Sequence, residues 1–178
     1  GTLLDGGTYF DKDDIVYAEI TPSDGFTSGT TFVTPSITIS NSAPQAASIE
    51  IQPAAPVEGI DDLVCVRTAD AVDDDGDTIS YTITWYQNSS LYSATTTTSM
   101  TGDTIPAAAT IKDDVWICEI TPSDGSIDGT SSTASTIVLE NCDVDGDGVD
   151  SINCGGPDCD DNDPSIGDCF DGTGSWSS

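Results

Sequence analysis

Histidine is absent from the 178 residues. That removes the commonest general base, the Ser/His and Cys/His nucleophile pairs and most catalytic zinc sites. Basic residues are nearly absent as well. Lys12, Arg67 and Lys112 stand against 32 acidic residues, for a formal charge of -29. Nucleic acid and an anionic membrane face would both be repelled, so neither is expected as a partner. No segment approaches the roughly 20 apolar residues a membrane helix needs, so no membrane insertion is expected. No stretch carries a convincing helical period, and the opening residues are not expected to be a signal peptide. The chain opens in mid-pattern with Gly1-Thr2-Leu3 and reads as a mature or partial segment. Glu is scarce too: Glu19, Glu50, Glu58, Glu119 and Glu140 are the five, and the other 27 acids are Asp. A high-salt surface would enrich both acids. Calcium loops favour Asp, whose short arm suits tight turns and hard oxygen ligation. The Asp residues cluster in loops, which favours calcium, although the two causes are compatible.

What is present is a repeat. Lys12-Asp13-Asp14-Ile15 through Glu19-Ile20-Thr21-Pro22-Ser23-Asp24-Gly25 recurs 100 residues later as Lys112-Asp113-Asp114-Val115 through Glu119-Ile120-Thr121-Pro122-Ser123-Asp124-Gly125. The match continues through Gly29/Gly129, Thr30/Thr130, Ile37/Ile137 and Asn41/Asn141. The chain therefore divides into the last two-fifths of one unit (1–41), a whole unit (42–141) and a different segment (142–178).

Alternation in the whole unit predicts strands. Ile79, Tyr81, Ile83 and Trp85 share a face. So do Trp116, Cys118 and Ile120, and so do Ile137 and Leu139. The expected strands are 46–52, 61–68, 78–87, 103–110, 114–121 and 132–140. Cys65, Trp85 and Cys118 then fall in the second, third and fifth of these. That order resembles the immunoglobulin fold, in which a disulfide between strands B and F packs on the strand C tryptophan. The resemblance covers 42–141, with PKD and cadherin-like sandwiches as related labels. It implies an all-β, immunoglobulin-like β-sandwich, a Cys65–Cys118 bond and an oxidising, extracellular or cell-surface location. Trp116 departs from the family pattern, which often has a corner tyrosine there. Ala18 stands where Cys118 stands in the later copy. Arg67 shares the parity of Cys65, as a strand end or bulge, or as an anchor for nearby carboxylates.

Residues 1–41 supply only the last three strands of a sandwich. Val16, Ala18, Ile20, Ile37 and Ile39 make half an apolar core, which is not stable alone. A longer parent chain or a neighbouring copy of the protein is expected to complete it, by strand complementation in the second case. Either reading implies head-to-tail domains.

Two regions read as cation sites. Asp73, Asp75 and Asp77 alternate around Gly76 in the B–C loop, a spacing that can turn three carboxylates to one point. Asp124 is expected at the same end, and Asp13 and Asp14 near the linker Asn41-Ser42-Ala43-Pro44. This is similar to the cadherin arrangement, in which calcium stiffens joints between domains. The second region carries Asp143, Asp145, Asp147 and Asp150, followed by Asp158, Asp160, Asp161 and Asp163. It resembles thrombospondin type 3 and other Cys-stapled, Asp-rich repeats. Cys154 stands where an EF-hand would have its Glu. Ten Asp residues between 142 and 171 repel one another, so metal binding here is expected to supply folding energy. Cys142, Cys154, Cys159 and Cys169 are expected to form disulfides in one of three pairings.

Asn88-Ser89-Ser90 fits a glycosylation acceptor, and the Thr-rich run 94–99 fits either O-linked sugar or a plain strand. Glu19 and Glu119 occupy the same repeat position, and nothing else resembles a paired acid and base, so the chain is not expected to be an enzyme. The expected function is a calcium-stabilised structural component of an extracellular filament, stalk or surface layer. A cell-adhesion or carbohydrate-binding module that contacts glycans is the alternative.

Overall fold

The computed structural model describes residues 3–4, 6–158 and 160–165. The chain is all-β apart from short turns of helix. Its elements are α1 (Gly6–Tyr9), β1 (Ile15–Val16), β2 (Glu19–Ile20), β3 (Phe32–Val33), β4 (Ile37–Thr38), β5 (Ser48–Gln52), β6 (Leu63–Ala69), β7 (Ser80–Gln87), β8 (Ser90–Tyr92), β9 (Thr104–Ile105), β10 (Val115–Ser123) and β11 (Ser132–Ile137). Two 3-10 turns, Ala107–Ala109 and Ile152–Cys154, complete the list. One sheet has the order β11-β10-β7-β8 and another β5-β6-β9. Those are the G-F-C-C′ and A-B-E orders of an immunoglobulin-like sandwich.

Contacts gather the residues into two compact units. One comprises Gly1–Ser48, Arg67–Thr82 and Ile120–Ser132, and the other Ile49–Val66, Ile83–Glu119 and Thr133–Ser178. The second unit holds the sandwich core. Leu63, Cys65, Ile105, Trp85, Trp116 and Cys118 are all buried to within 1% exposure. A disulfide joins Cys65 of β6 to Cys118 of β10. Trp116 lies edge-on to Trp85, with ring centroids 6.2 Å apart, and to Tyr92 at 4.9 Å. The indole of Trp85 donates to the Gly102 carbonyl at 3.0 Å, whereas Trp116 Nε1 is buried without a partner. Trp116 thus fills the tyrosine-corner position by aromatic packing and makes no corner hydrogen bond.

Three expectations about the strands need correction. The segment 103–110 is strand only at β9, because Pro106 has no amide to donate and leads into the 3-10 turn. Ile137 and Leu139 do not face the core: they are 55% and 48% exposed, while Thr136 and Val138 are buried. Thr136 tolerates burial because its hydroxyl donates to the Ala54 carbonyl. The first copy has no strand before β1 among its described residues. The helical turn α1 stands there, 100 residues ahead of the 3-10 turn in the second copy.

The first copy is also more broken than the second. β10 is continuous, but its counterpart splits into β1 and β2, which pair separately. Val16 lies opposite Ile37, and Ile20 opposite Phe32. Pro35 interrupts the partner strand, since it lacks a ladder donor, and Thr34 bridges the gap by accepting the Ala18 amide on its hydroxyl at 2.9 Å. Ile15, Ile20, Phe32 and Ile37 are all more than half exposed.

Candidate metal sites

The geometry of each acidic loop follows from local sequence. In the loop 73–77, Asp73 Oδ1 accepts the amides of Asp75 at 2.9 Å and Asp77 at 3.2 Å. Gly76, at φ +74°, turns the chain between them. Asp73, Asp75 and Asp77 each present a carboxylate oxygen within 4.8 Å of the others. Asp73 Oδ2 is buried and receives no hydrogen bond. The linker closes on this loop, because the Ser42 amide donates to Asp75 Oδ2 at 2.6 Å. Lys12 Nζ pairs with Asp77 Oδ2. That hydrogen bond, helped by the charges of Asp77, Asp124 and Asp13, raises the Lys12 pKa above its ordinary value.

Asp124 does not join this triad. Its Oδ2 accepts Asn41 Nδ2 at 2.7 Å, and its Oδ1 accepts the amides of Ser126 and Ile127. The Asn41 bond and those two amides hold its carboxyl below the usual range. Asp13 and Asp14 also stay outside it; Asp14 instead caps the Asp11 amide at 3.0 Å.

The C-terminal segment carries two further triads, Asp143/Asp145/Asp147 and Asp145/Asp158/Asp161, which share Asp145. Asp143 accepts the amides of Gly146 and Gly148 on its two oxygens. Asp161 reaches back to the Val144 amide at 2.9 Å. A disulfide between Cys142 and Cys154 closes the first loop, and Ser151 bridges to Asp158 in parallel. Gly156 is required by a close approach: a Cβ there would sit 1.9 Å from the Asp150 carbonyl oxygen.

Asp158 is only 1% exposed. Its Oδ1 accepts the Asp160 amide at 3.0 Å, while its Oδ2 is buried with no partner, as is Asp145 Oδ2. Burial, reinforced by the charges of Asp147, Asp158 and Asp143, raises the Asp145 carboxyl above the ordinary range. Orphaned carboxylate oxygens are costly in a protein. A bound cation would satisfy them. The donor set is all hard oxygen, with neither His nor free thiolate among the described residues, which suits a hard cation such as calcium or magnesium rather than zinc. These clusters can hold a metal ion.

Asp150, Asp160 and Asp163 do not join a triad. Asp150 contributes its backbone carbonyl to the Asp158 amide at 3.2 Å. The carboxylate of Asp163 accepts the hydroxyl and amide of Ser165, which lower its pKa. Cys159 and Cys169 lie outside the described residues.

The remaining sequence candidates are placed as follows. Asn88 is exposed in the turn between β7 and β8, but its amide is engaged: Nδ2 donates to Asp114 at 2.7 Å and Oδ1 accepts the Val115 amide at 2.9 Å. Arg67 contacts Asp70 at 2.7 Å and lies 4.0 Å over the Tyr81 ring, so it does anchor a carboxylate. Lys112 pairs with Glu140 at 2.6 Å. One buried acid had been passed over. Asp103, fully buried, accepts the amides of Thr98, Ser99 and Met100 and the hydroxyls of Thr98, Ser99 and Thr104. Burial alone would raise its carboxyl, but the Met100, Thr98 and Ser99 amides outweigh it and hold the group far below the usual range. Its lone sequence signal is a Gly-Asp pair four to five residues beyond Thr98-Ser99, a spacing suited to closing a tight loop.

No family model matches the chain, and no curated protein matches it. Among solved structures, the FN1–FN3 domains of chicken CNTN1 align over 74% of this chain and 46% of theirs, at 11% identity and a TM-score of 0.40. The chain thus spans under half of that three-domain chain. A likeness at that level adds nothing to the fold assignment, which rests on the sheet orders and the disulfide between the sheets.

Proposed function

We propose that the protein is a calcium-stabilised structural component of an extracellular filament, stalk or cell-surface layer. Its organisation is a half repeat (1–41), a complete immunoglobulin-like sandwich (42–141) and an Asp/Cys-rich segment (142–178) resembling thrombospondin type 3. It is not an enzyme. Copies of the same chain or adjacent repeats are its partners, joined head to tail.

The observation that carries this reading is the Asp158 carboxylate, buried beside Asp145 and Asp161 with one oxygen unpartnered. An acid placed so becomes favourable when a divalent ion binds there. Asp143, Asp145 and Asp147, and Asp145, Asp158 and Asp161, would hold calcium in the C-terminal segment, and Asp73, Asp75 and Asp77 would hold it in the 73–77 loop. Calcium is favoured over magnesium because flexible all-oxygen cages of several carboxylates suit its looser coordination. The disulfides agree with an oxidising, extracellular setting.

Isothermal titration of the cation-depleted chain with calcium tests the reading. Saturable binding at about 10⁻⁴ to 10⁻³ M, the range of extracellular modules, is expected. No heat of binding up to 10 mM (about ten times the weak end of that range) would rule out the calcium assignment. Electron microscopy of the native material tests the assembly, and a field of dispersed single particles would remove the filament reading.

A further inference from the structure

The two copies of the turn Thr-Pro-Ser-Asp-Gly fold alike. Gly29 donates to the Pro22 carbonyl at 2.8 Å, as Gly129 does to that of Pro122. Asp24 Oδ1 accepts the amides of Phe26 and Thr27, as Asp124 Oδ1 accepts those of Ser126 and Ile127. Ser23 and Ser123 reach the carbonyls at 27 and 127 at 3.1 and 3.2 Å, and Gly25 and Gly125 share φ +89° and +88°.

The copies differ in what lies on them. The linker covers the second turn: Asn41 Nδ2 donates to Asp124 Oδ2, and the Pro44 carbonyl accepts the Thr130 amide at 3.2 Å. The fit at Gly129 is so close that an added Cβ would stand 2.1 Å from the Pro44 oxygen. Ser132 Oγ donates to the Ala47 carbonyl, and Pro44 and Pro122 are buried. Among the described residues, none covers the first turn. Residues 21–30 are all exposed. Pro22, Ser23, Asp24, Thr27 and Gly29 line an open cleft of about 410 Å³. Among the described residues, no hydrogen bond reaches Asp24 Oδ2 or comes from the Thr30 amide.

We infer that the cleft between Pro22 and Gly29 is a docking site for a further extended segment with the chemistry of Asn41–Ala47: a side-chain amide followed three residues on by proline. The amide meets Asp24 Oδ2, the proline carbonyl takes the Thr30 amide, and the absent side chain of Gly29 lets the incoming backbone approach. Residues 41–47 are engaged at the second turn, so the occupant of the first is another segment of the same chemistry. The two turns are preorganised identically, so little ordering cost falls on the receiving side. The inference goes beyond the calcium reading and needs no metal.

The test adds a blocked heptapeptide with the sequence of residues 41–47 to the isotopically labelled full chain, once with calcium and once with EDTA, and follows amide resonances. Saturable shifts of Gly29 and Thr30 are expected in both buffers, with Gly129 and Thr130 unmoved. Replacing the peptide's asparagine by alanine should weaken binding about ten-fold, the loss of a charge-assisted hydrogen bond. The Gly29→Val chain, whose Thr27 and Thr34 amide resonances report an intact first copy, should bind no peptide. Absence of saturable shifts at Gly29 and Thr30, shifts at Gly129 and Thr130 alone, or undiminished binding by Gly29→Val would each overturn the proposal. Binding in calcium but not in EDTA would overturn its independence of metal.

Discussion

Replacing Asp158 by Asn should act in opposite directions with and without calcium. The carboxylate oxygens of Asp145, Asp158 and Asp161 come within 4.8 Å of one another. At that distance a pair of like charges repels by about 1 kcal/mol in a water-like dielectric and about 3 kcal/mol in a protein-like one. Asp158→Asn removes two such pairs and keeps an oxygen to accept the Asp160 amide. The cation-free segment should therefore become better ordered. With calcium the sign reverses. An ion bound at about 0.1 to 1 mM stabilises the segment by about 1.4 to 2.7 kcal/mol at 10 mM calcium, which is roughly ten- to hundred-fold in opening equilibrium. The variant should lose most of that gain. Hydrogen exchange at the Val144, Ser151 and Asp158 amides reads both effects, because each amide bonds within the segment. A variant with the full calcium-dependent protection of the parent, or one less protected in EDTA, would refute the reasoning.

Three further outcomes are expected. Asp103→Ala should cost roughly 3 kcal/mol in urea unfolding, because it strands buried donors from Thr98, Ser99 and Met100. The Asp103 carboxyl is held below its ordinary 3.8 in the folded chain, so its contribution is complete above that pH and is lost progressively as pH falls below it. Asp103→Asn should correspondingly flatten the acid limb of the stability curve there. Lys12→Met should strengthen calcium binding at the 73–77 loop several-fold in a titration, since Lys12 lies on Asp77 and opposes a second cation. The Cys65→Ser/Cys118→Ser pair should cost about 4 kcal/mol in denaturant unfolding on the chain-entropy model, given a separation of 53 residues.

The sandwich was legible because its signals are local or strongly typed. Cys65, Trp85 and Cys118 have few alternative uses together, and the 100-residue repeat placed both copies of the hairpin. Facing was less legible. Ile137 and Leu139 look like a core pair, yet Thr136 and Val138 point inward, since a threonine whose hydroxyl finds a carbonyl packs much as valine does. The metal candidates divided similarly. Alternating Asp at 73, 75, 77 and at 143, 145, 147 does converge, because the spacing is set by the turn itself. The grouping of Asp145 with Asp158 and Asp161 depends on chain return, and sequence spacing could not reveal that Asp158 is the most buried of them. Asp124 lies at the expected end, bonded to Asn41 and near the Lys12 that pairs with Asp77, but it stays outside the triad, held by its own turn and by Asn41. Lys12 went unremarked as a neighbour of Asp77 because the pair is 65 residues apart.

The bond from Cys65 to Cys118 also governs how the chain behaves under tension. Force applied at the two ends passes through the sulfurs and leaves the loop between them, a separation of 53 residues, slack. Those residues hold about 180 Å of contour length at full extension. An oxidised chain pulled to its limit therefore stops short by that distance, and a reductant releases it in one step. Redox state thus sets how far this part of the chain can extend.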